Sequence, residues 1–437
     1  MKKLVYLFFC VTTVLFSCKK QNDVPLHHIT VQLAYPSESE LTAVAEVKVK
    51  LSTNSTSFES LTDANGKATF EVPVGIYEAS VTDSRTNGLN TFIYNGVLSN
   101  IAVSDSCDDS QVIQLSLTES KSSQLVIKEL YVGGIQKDDG SGTFQNDGYI
   151  IIYNNSNSPA DIGNVGIATI APYNSQGRND YYGTDGKLSY ESEGWIPAAQ
   201  AVWYFQQNYT IQPGQQMVIA TGNAVNITPT HSKSINFDNP SYFATYDLTT
   251  FTNAGRYVSP AASIPTSQHL KAVKYGAGNG WALSVISPGL FIFNPTNTTP
   301  SVFANDVSQT STILGYTNRK VPVDWVVDGV EAYALDVTTN QKRFPAKIDA
   351  GYVHHINGQG YTIYRNVDKP ATEAIEGNAA KLVYGYQLGT TNIGGSTDPS
   401  GIDAEASIKN GARIIYKDTN NSSNDFHMRS KASLRTN

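Results

Sequence analysis

Apolar and polar positions alternate along the first quarter of the chain in the way expected of β-strands. The segment 47–51, VKVKL, places its three apolar side chains on one face of a strand, because successive side chains point to opposite faces. Asn65-Gly66 then supplies the positive φ angles that a tight hairpin turn requires. Because the pattern resumes over 72–81, the sequence predicts a small antiparallel sandwich here.

The rest of the chain is also punctuated as strands and turns. Apolar, β-branched runs at 125–132, 149–155 and 211–220 each lie beside Asn, Gly or Pro residues that favour turns. Beyond the N-terminal apolar run, no stretch has convincing helical periodicity. The sequence therefore predicts an all-β protein.

The first residues have the pattern of an export signal. Two lysines precede an apolar run over 4–11 that is shorter than the roughly 18 to 20 residues needed to span a membrane. Leu15-Phe16-Ser17-Cys18 resembles the lipobox of bacterial lipoproteins, although Phe16 is bulkier than usual. The resemblance implies that Cys18 is acylated, for example with palmitate, and becomes the first mature residue.

These patterns divide the chain into four parts. Residues 1–17 are predicted to be a lipoprotein signal peptide, and 18–25 a polar, lipid-anchored tether. Two domains follow, over 26–119 and 120–437. The protein is thus expected to contact a membrane through its N-terminal lipid.

Composition limits the chemistry of the mature chain. Of three cysteines, Cys10 would leave with the signal and Cys18 would carry lipid, so Cys107 has no partner for an intramolecular disulfide. Without Lys2 and Lys3 the formal charge changes from -7 to 29 minus 38, or -9. An acidic surface without a basic cluster argues against nucleic-acid binding.

Both domains resemble known modules. The segments TDANGKATF and VPVGIYEASV resemble transthyretin-like or carboxypeptidase-regulatory-like modules, which implies a spacer or accessory unit over nearly all of 26–119. The later strands resemble the lamin-tail domain, an immunoglobulin-like sandwich, although Ile151 stands where that family commonly has glutamate. Segments that fit the lamin-tail scheme further on are 324–331, 360–365 and 418–426, and the insertions between strands cover 171–202, 223–320 and 367–412.

The expected fold is therefore two immunoglobulin-like or transthyretin-like sandwich modules, the second enlarged by long, loop-rich insertions. This order of domains resembles an uncharacterised family of lipoproteins from Gram-negative gut bacteria. Membership would imply a location in the cell envelope and a domain architecture, but no established activity.

Candidate metal ligands do not form a recognisable set. His354 and His355 are adjacent and would point to opposite faces of a strand, so one ion could not bind both. The loop 138–143 lacks the alternating oxygen ligands and distal glutamate of an EF-hand. The remaining candidates His231, His269 and His427 lie in separate segments. We expect no metal and no cofactor.

Catalytic motifs are also absent from the sequence. There is no Gly-x-Ser-x-Gly elbow, and the carboxylates around Cys107 would raise the pKa of its thiol. Acidic pairs remain as possible glycosidase pairs, but a sequence cannot give the separation that the mechanism requires. Those pairs include Glu191 with Glu193 and Asp324 with Asp328.

Aromatic residues are dense in the insertions and lie among amide and carboxylate side chains. Flat rings beside such groups can stack on sugar rings or anchor a protein partner, but they can equally cover a core. The candidate ligand-binding residues are Tyr181, Tyr182, Trp195, Trp203 and Tyr204.

The sequence favours a non-catalytic binding or assembly lipoprotein, with a glycan, an envelope protein or a nutrient as its partner. The alternatives are a hydrolase whose acidic pair forms only in the fold, and an accessory subunit of an outer-membrane nutrient importer. We expect a place in the cell envelope, with the outer membrane favoured and its periplasmic or surface face left open.

Overall fold

The computed structural model describes residues 25–436, apart from 38, 40, 54–55, 88–89, 106–111, 254, 256, 314 and 392. The predicted signal peptide, nearly all of the predicted tether, Cys18 and Cys107 lie outside the described residues. Strands dominate and the few helices are short, which confirms the all-β prediction. The described residues form two compact units, the first comprising those up to 83 with those of 95–117, the second those of 84–94 with those from 118 onward.

The first unit is built from strands whose inward side chains alternate with exposed ones, as the VKVKL pattern predicts. One sheet has the order β4-β1-β7, with β1 and β7 parallel, and another contains the neighbours β3-β2-β5-β6. The strands that lie wholly or partly in this unit are β1 His27–Ala34, β2 Lys48–Ser52, β3 Ser57–Leu61, β4 Lys67–Val72, β5 Gly75–Asn87, β6 Asn90–Val103 and β7 Val112–Ser116, of which residues 84–87 and 90–94 are assigned to the second unit.

The predicted turn at Asn65-Gly66 is present, but it does not close a hairpin. Gly66 has φ of +74°, and its backbone N–H donates to Asp63 O at 2.9 Å. The strands on either side, β3 and β4, lie in different sheets, since β4 pairs with β1. The turn is therefore a corner between two sheets.

The second unit contains the remaining strands. The three apolar runs predicted as strands in this part become β9, β12 and the pair β16 and β17. The full set is β8 Thr118–Ser122, β9 Leu125–Tyr131, β10 Ile135–Gln136, β11 Thr143–Phe144, β12 Tyr149–Asn154, β13 Ala160–Asp161, β14 Gly166–Ile170, β15 Trp195–Tyr204, β16 Thr210–Ile211, β17 Gln216–Ala220, β18 Phe243–Thr245, β19 His269–Lys274, β20 Gly289–Phe293, β21 Thr310–Ile313, β22 Tyr316–Pro322, β23 Val326–Ala334, β24 Val353–His355, β25 Thr362–Arg365 and β26 Phe426–Arg429.

A single hydrogen-bonded ladder connects most of these strands. Its order is β24-β23-β20-β14-β15-β19-β18-β17-β12-β9-β25-β26, with β22 paired to β15 and β21 to β22. The ladder folds back on itself, because Asp328 in β23 accepts a hydrogen bond from the backbone of Ile127 in β9 at 2.5 Å. The resulting layers enclose an apolar core that includes Trp203, Ile292 and Leu130.

Short helices lie in the long connections. Two of them begin at aspartates whose side chains accept backbone hydrogen bonds, Asp368 from Ala371 N and Asp403 from Ala406 N, both at 3.0 Å. Helices of four to six residues are too short to show a helical period in the sequence. They are α1 Pro300–Asn305, α2 Lys369–Glu373, α3 Ala404–Lys409 and α4 Ser422–Asp425. Across the described ranges, no helix has the length and apolar character needed to cross a membrane.

Candidate functional site

A buried ion network lies where β23 meets the loop that follows it. We use that name for Glu331, Lys342, Arg343 and Asp349. The Arg343 Nε atom donates to Glu331 Oε1 at 2.8 Å, and Lys342 Nζ lies 2.6 Å from Glu331 Oε2. Burial by itself would raise the pKa of Glu331, but Lys342 and Arg343 hold that pKa below its ordinary value. Glu331 is therefore a charged structural anchor.

Asp349 ties the same loop to α4. Its carboxylate accepts from Ser422 N at 2.7 Å, from Ser422 Oγ at 2.6 Å and from Gly351 N at 3.0 Å. Burial raises the pKa of Asp349, and Lys342 opposes that rise. The loop is thus held at both ends by buried hydrogen bonds.

Three tyrosines lie over this network, and we call Tyr182, Tyr333 and Tyr352 the tyrosine surface. The rings of Tyr333 and Tyr352 stack with centroids 4.0 Å apart and planes 11° apart. Tyr182 Oη donates to the backbone oxygen of Lys342 at 3.1 Å. Burial raises the pKa of Tyr333, and Glu331, Tyr182 and Tyr352 raise it further through their charges. Tyr182 therefore contacts the loop of the ion network, and Tyr333 and Tyr352 contact each other beside it.

The tyrosine surface is accessible on one side. Tyr352 is 37% exposed, whereas Tyr333, on which its ring stacks, is 8% exposed. His354 meets the Tyr352 ring edge-to-face at 5.3 Å. Lys342 Nζ donates to the backbone oxygen of Gly351, which fixes the residue before Tyr352. Because this partly exposed ring is already held in place, stacking it on a flat ligand would cost little conformational entropy.

Three of the five aromatic candidates from the sequence are buried. Trp203 is fully buried in the core and stacks on Phe251 at 5.4 Å, while Tyr181 and Trp195 pack around Tyr190. Trp203 therefore offers no ring face to solvent, and Tyr181 and Trp195 are only 4% and 9% exposed.

Tyr182 and Tyr204 are half-buried. Only Tyr182 joins the tyrosine surface, and the role of these two residues in ligand binding stays a prediction.

The acidic residues named from the sequence have separate structural partners. Asp324 is exposed and pairs with Lys347 at 2.9 Å, whereas Asp328 is buried against Arg365. Burial raises the pKa of Asp328, and Arg365 opposes that rise. Glu193 accepts a hydrogen bond from Trp195 Nε1 at 2.8 Å. The structure gives Asp324 and Asp328 different surroundings, which does not favour a shared catalytic role.

His427 is fully engaged by its neighbours. Its Nδ1 lies 2.7 Å from Asn366 Oδ1 and its Nε2 lies 2.6 Å from Tyr386 Oη. Burial, and then Arg429, lowers the pKa of His427 to about 3. Within the part of the chain that the structure describes, no group of three or more His, Cys, Asp or Glu side chains could hold a metal ion.

Sequence reasoning missed Tyr333 and Tyr352. Tyr333 is part of an apolar strand, and Tyr352 stands alone beside His354 in a separate segment. Neither belongs to the aromatic-rich stretch around Tyr182. Tyr333 and Tyr352 meet where β23 pairs in parallel with β24, and Tyr182 joins this region through its hydrogen bond to Lys342 O. Local aromatic density was therefore the wrong signal for these two residues.

Comparisons with known proteins give a fold and a family description. A family model described as Protein of unknown function (DUF4876) matches residues 212–382. The crystal structure of a DUF4876 family protein from Bacteroides thetaiotaomicron VPI-5482 covers 92% of this chain and 94% of its own, with 21% identity and a TM-score of 0.51. At that identity the likeness shows the fold alone.

A DUF3823 family protein from Parabacteroides merdae ATCC 43184 aligns with 43% of this chain and 96% of its own, at 10% identity and a TM-score of 0.16. That score carries no argument. No curated protein matches the chain significantly. Taken together, the matches support a relationship to an uncharacterised family, as the sequence predicts.

Proposed function

We propose that this chain is an exported, lipid-anchored binding module that takes a hydroxylated ring, such as a sugar residue, on the tyrosine surface. The observation that carries the proposal is the stacked pair of Tyr333 and Tyr352, in which Tyr352 is 37% exposed. The apolar face of a sugar can stack on such a ring, and nearby tyrosine hydroxyls can bond its hydroxyls.

The arrangement of the buried carboxylates supports a non-catalytic role. Glu331 is occupied by Arg343 and Lys342, and Asp349 by serine and backbone donors. An acid-base pair needs carboxyl groups that are free to exchange protons with a substrate. These groups instead hold the loop that carries Tyr352. In the same proposal, a transthyretin-like spacer and a lamin-tail-like body are exposed in the cell envelope.

Tyr352→Ala is expected to weaken glycan binding about tenfold or more, since a central stacking residue contributes about 2 kcal/mol to an interface. A glycan array followed by titration calorimetry on the best binder measures this. Tyr316→Ala is the matched control, because Tyr316 is 71% exposed at the turn between β21 and β22. Equal affinities for wild type and Tyr352→Ala, or no glycan bound by the wild type, would refute the proposed site.

The anchoring part of the proposal has its own test. We expect the mature protein purified from membranes to begin at Cys18 and to carry lipid on that residue, and Cys18→Ser to move the chain to the soluble fraction. Intact-mass spectrometry and membrane fractionation measure the two effects. An unmodified N-terminus, or membrane retention of Cys18→Ser, would show that the chain is held in another way.

A further inference from the structure

Lys128 lies at a β-bulge in β9, a central strand of the ladder. In the pairing of β12 with β9, Ile151 faces Glu129 and Ile152 faces Ile127, so Lys128 is the additional residue of a β-bulge. Bulges redirect side chains and often lie at functional positions. The Lys128 side chain is fully buried, which is rare for a lysine.

Two side chains meet the Lys128 amine. Its Nζ lies 2.6 Å from Glu405 Oε1 and 2.7 Å from Gln216 Oε1. The rings of Tyr364 and Tyr416 enclose the amine, with centroids 5.7 and 5.8 Å from Nζ. An amine, a carboxamide and a carboxylate thus meet in a site walled by aromatic rings.

Glu405 is positioned to exchange a proton with this amine. It lies in the first turn of α3 and accepts a hydrogen bond from Tyr364 Oη at 2.7 Å. Its side chain is 23% exposed, so it lies at the edge of the buried site. Burial by itself would raise the pKa of Glu405, but Lys128 holds that pKa below its ordinary value.

We propose that Lys128 and Gln216 join in an intramolecular isopeptide bond, with Glu405 as the catalytic proton carrier. Glu405 takes a proton from the Lys128 ammonium, and the free amine attacks the carbonyl carbon of the Gln216 side chain. The new C–N bond forms as the carboxamide C–N bond breaks. Glu405 returns its proton to the leaving group, which departs as ammonium with the second amine proton.

The surroundings fit this exchange. No oxidant, reductant or cofactor is needed, since an ammonium and a carboxamide become an amide and a free ammonium ion. Gln216 is exposed, so its carboxamide can turn its carbon toward Nζ and release ammonium to solvent. The amine, by contrast, is fully buried beside the rings of Tyr364 and Tyr416.

The bond would link β9 and β17 across β12, the strand between them. In the lipid-anchored form proposed above, Cys18 carries lipid, which leaves Cys107 without a second cysteine within residues 18–437 to form a disulfide. An isopeptide bond would supply a covalent brace that resists both heat and reduction.

Tryptic peptide mass spectrometry of the purified full-length protein tests this. We expect peptide 122–137, uncleaved after Lys128, joined to peptide 188–233, with a combined mass lower by one ammonia. Glu405→Gln should lose the joined species, and Gln215→Ala, which alters the exposed neighbour of Gln216, should retain it. Recovery of free peptide 122–128 with linear 188–233 from the wild type would overturn the proposal, whether or not any variant folds.

Discussion

Replacing Arg343 by methionine is expected to lower the free energy of unfolding by about 3 to 5 kcal/mol, because the buried Glu331 carboxylate loses one of its two cationic partners. Arg343 is fully buried and donates to Glu331 Oε1 at 2.8 Å and to Ser287 O at 3.0 Å. Its Nη1 also donates to the backbone oxygens of Pro172 and Tyr173, both at 3.2 Å. Methionine fills much of the volume but offers none of these donors.

Urea denaturation followed by circular dichroism measures the loss. Arg178→Met is the matched control, since Arg178 is 78% exposed and its ion pair with Asp180 lies at the surface. We expect the control to change stability by about 0.5 kcal/mol or less. If both variants lost the same free energy of unfolding, burial of the ion network would not explain the loss in Arg343→Met.

The Arg343→Met deficit should also depend on pH. The folded-state pKa of Glu331 lies below its ordinary value, so this group stabilises the wild type above the unfolded-state pKa of about 4.3 and less as pH falls. In the variant, only Lys342 still opposes the effect of burial, so the pKa of Glu331 should be higher than in the wild type. The difference between wild type and variant should therefore be largest near pH 7 and shrink toward pH 4. A deficit that grows on acidification would contradict this reading.

The sequence predicts the strands better than it predicts their surroundings. Every residue of β9 and β12 is buried, so both faces are covered and strict alternation is lost, yet the apolar runs still predict strands. The charged side chains that pair in the interior are distant from one another in sequence. Lys128 meets Glu405, and Asp328 meets Arg365, through pairings that no local pattern contains.

The binding surface shows the same limit. The aromatic stretch around Tyr181 and Trp195 has the composition of a binding loop, but its rings largely pack on one another. Composition cannot distinguish a ring that covers a core from a ring that faces solvent. Trp203 lies within β15 and is fully buried, whereas Tyr352 lies just before β24 and is 37% exposed, a difference that no local pattern contains.

Trp203→Ala is expected to cost about 3 to 5 kcal/mol of stability, because it opens a large cavity in the core of the second unit. Trp203 is fully buried, stacks on Phe251 at 5.4 Å and meets the ring of Trp281 at 5.9 Å. The control is its neighbour Tyr204, which is half-buried and whose replacement by alanine should cost much less. Both variants belong in the same urea series and the same glycan titration.

The two readouts separate packing from recognition. If Trp203 acts only through packing, Trp203→Ala should bind glycan with wild-type affinity under conditions where it remains folded, since its ring reaches no solvent. If Trp203→Ala instead kept wild-type stability but bound no glycan, the ligand would have to contact Trp203 itself. That result would require the core around Phe251 to open, and it would move the binding site away from the tyrosine surface.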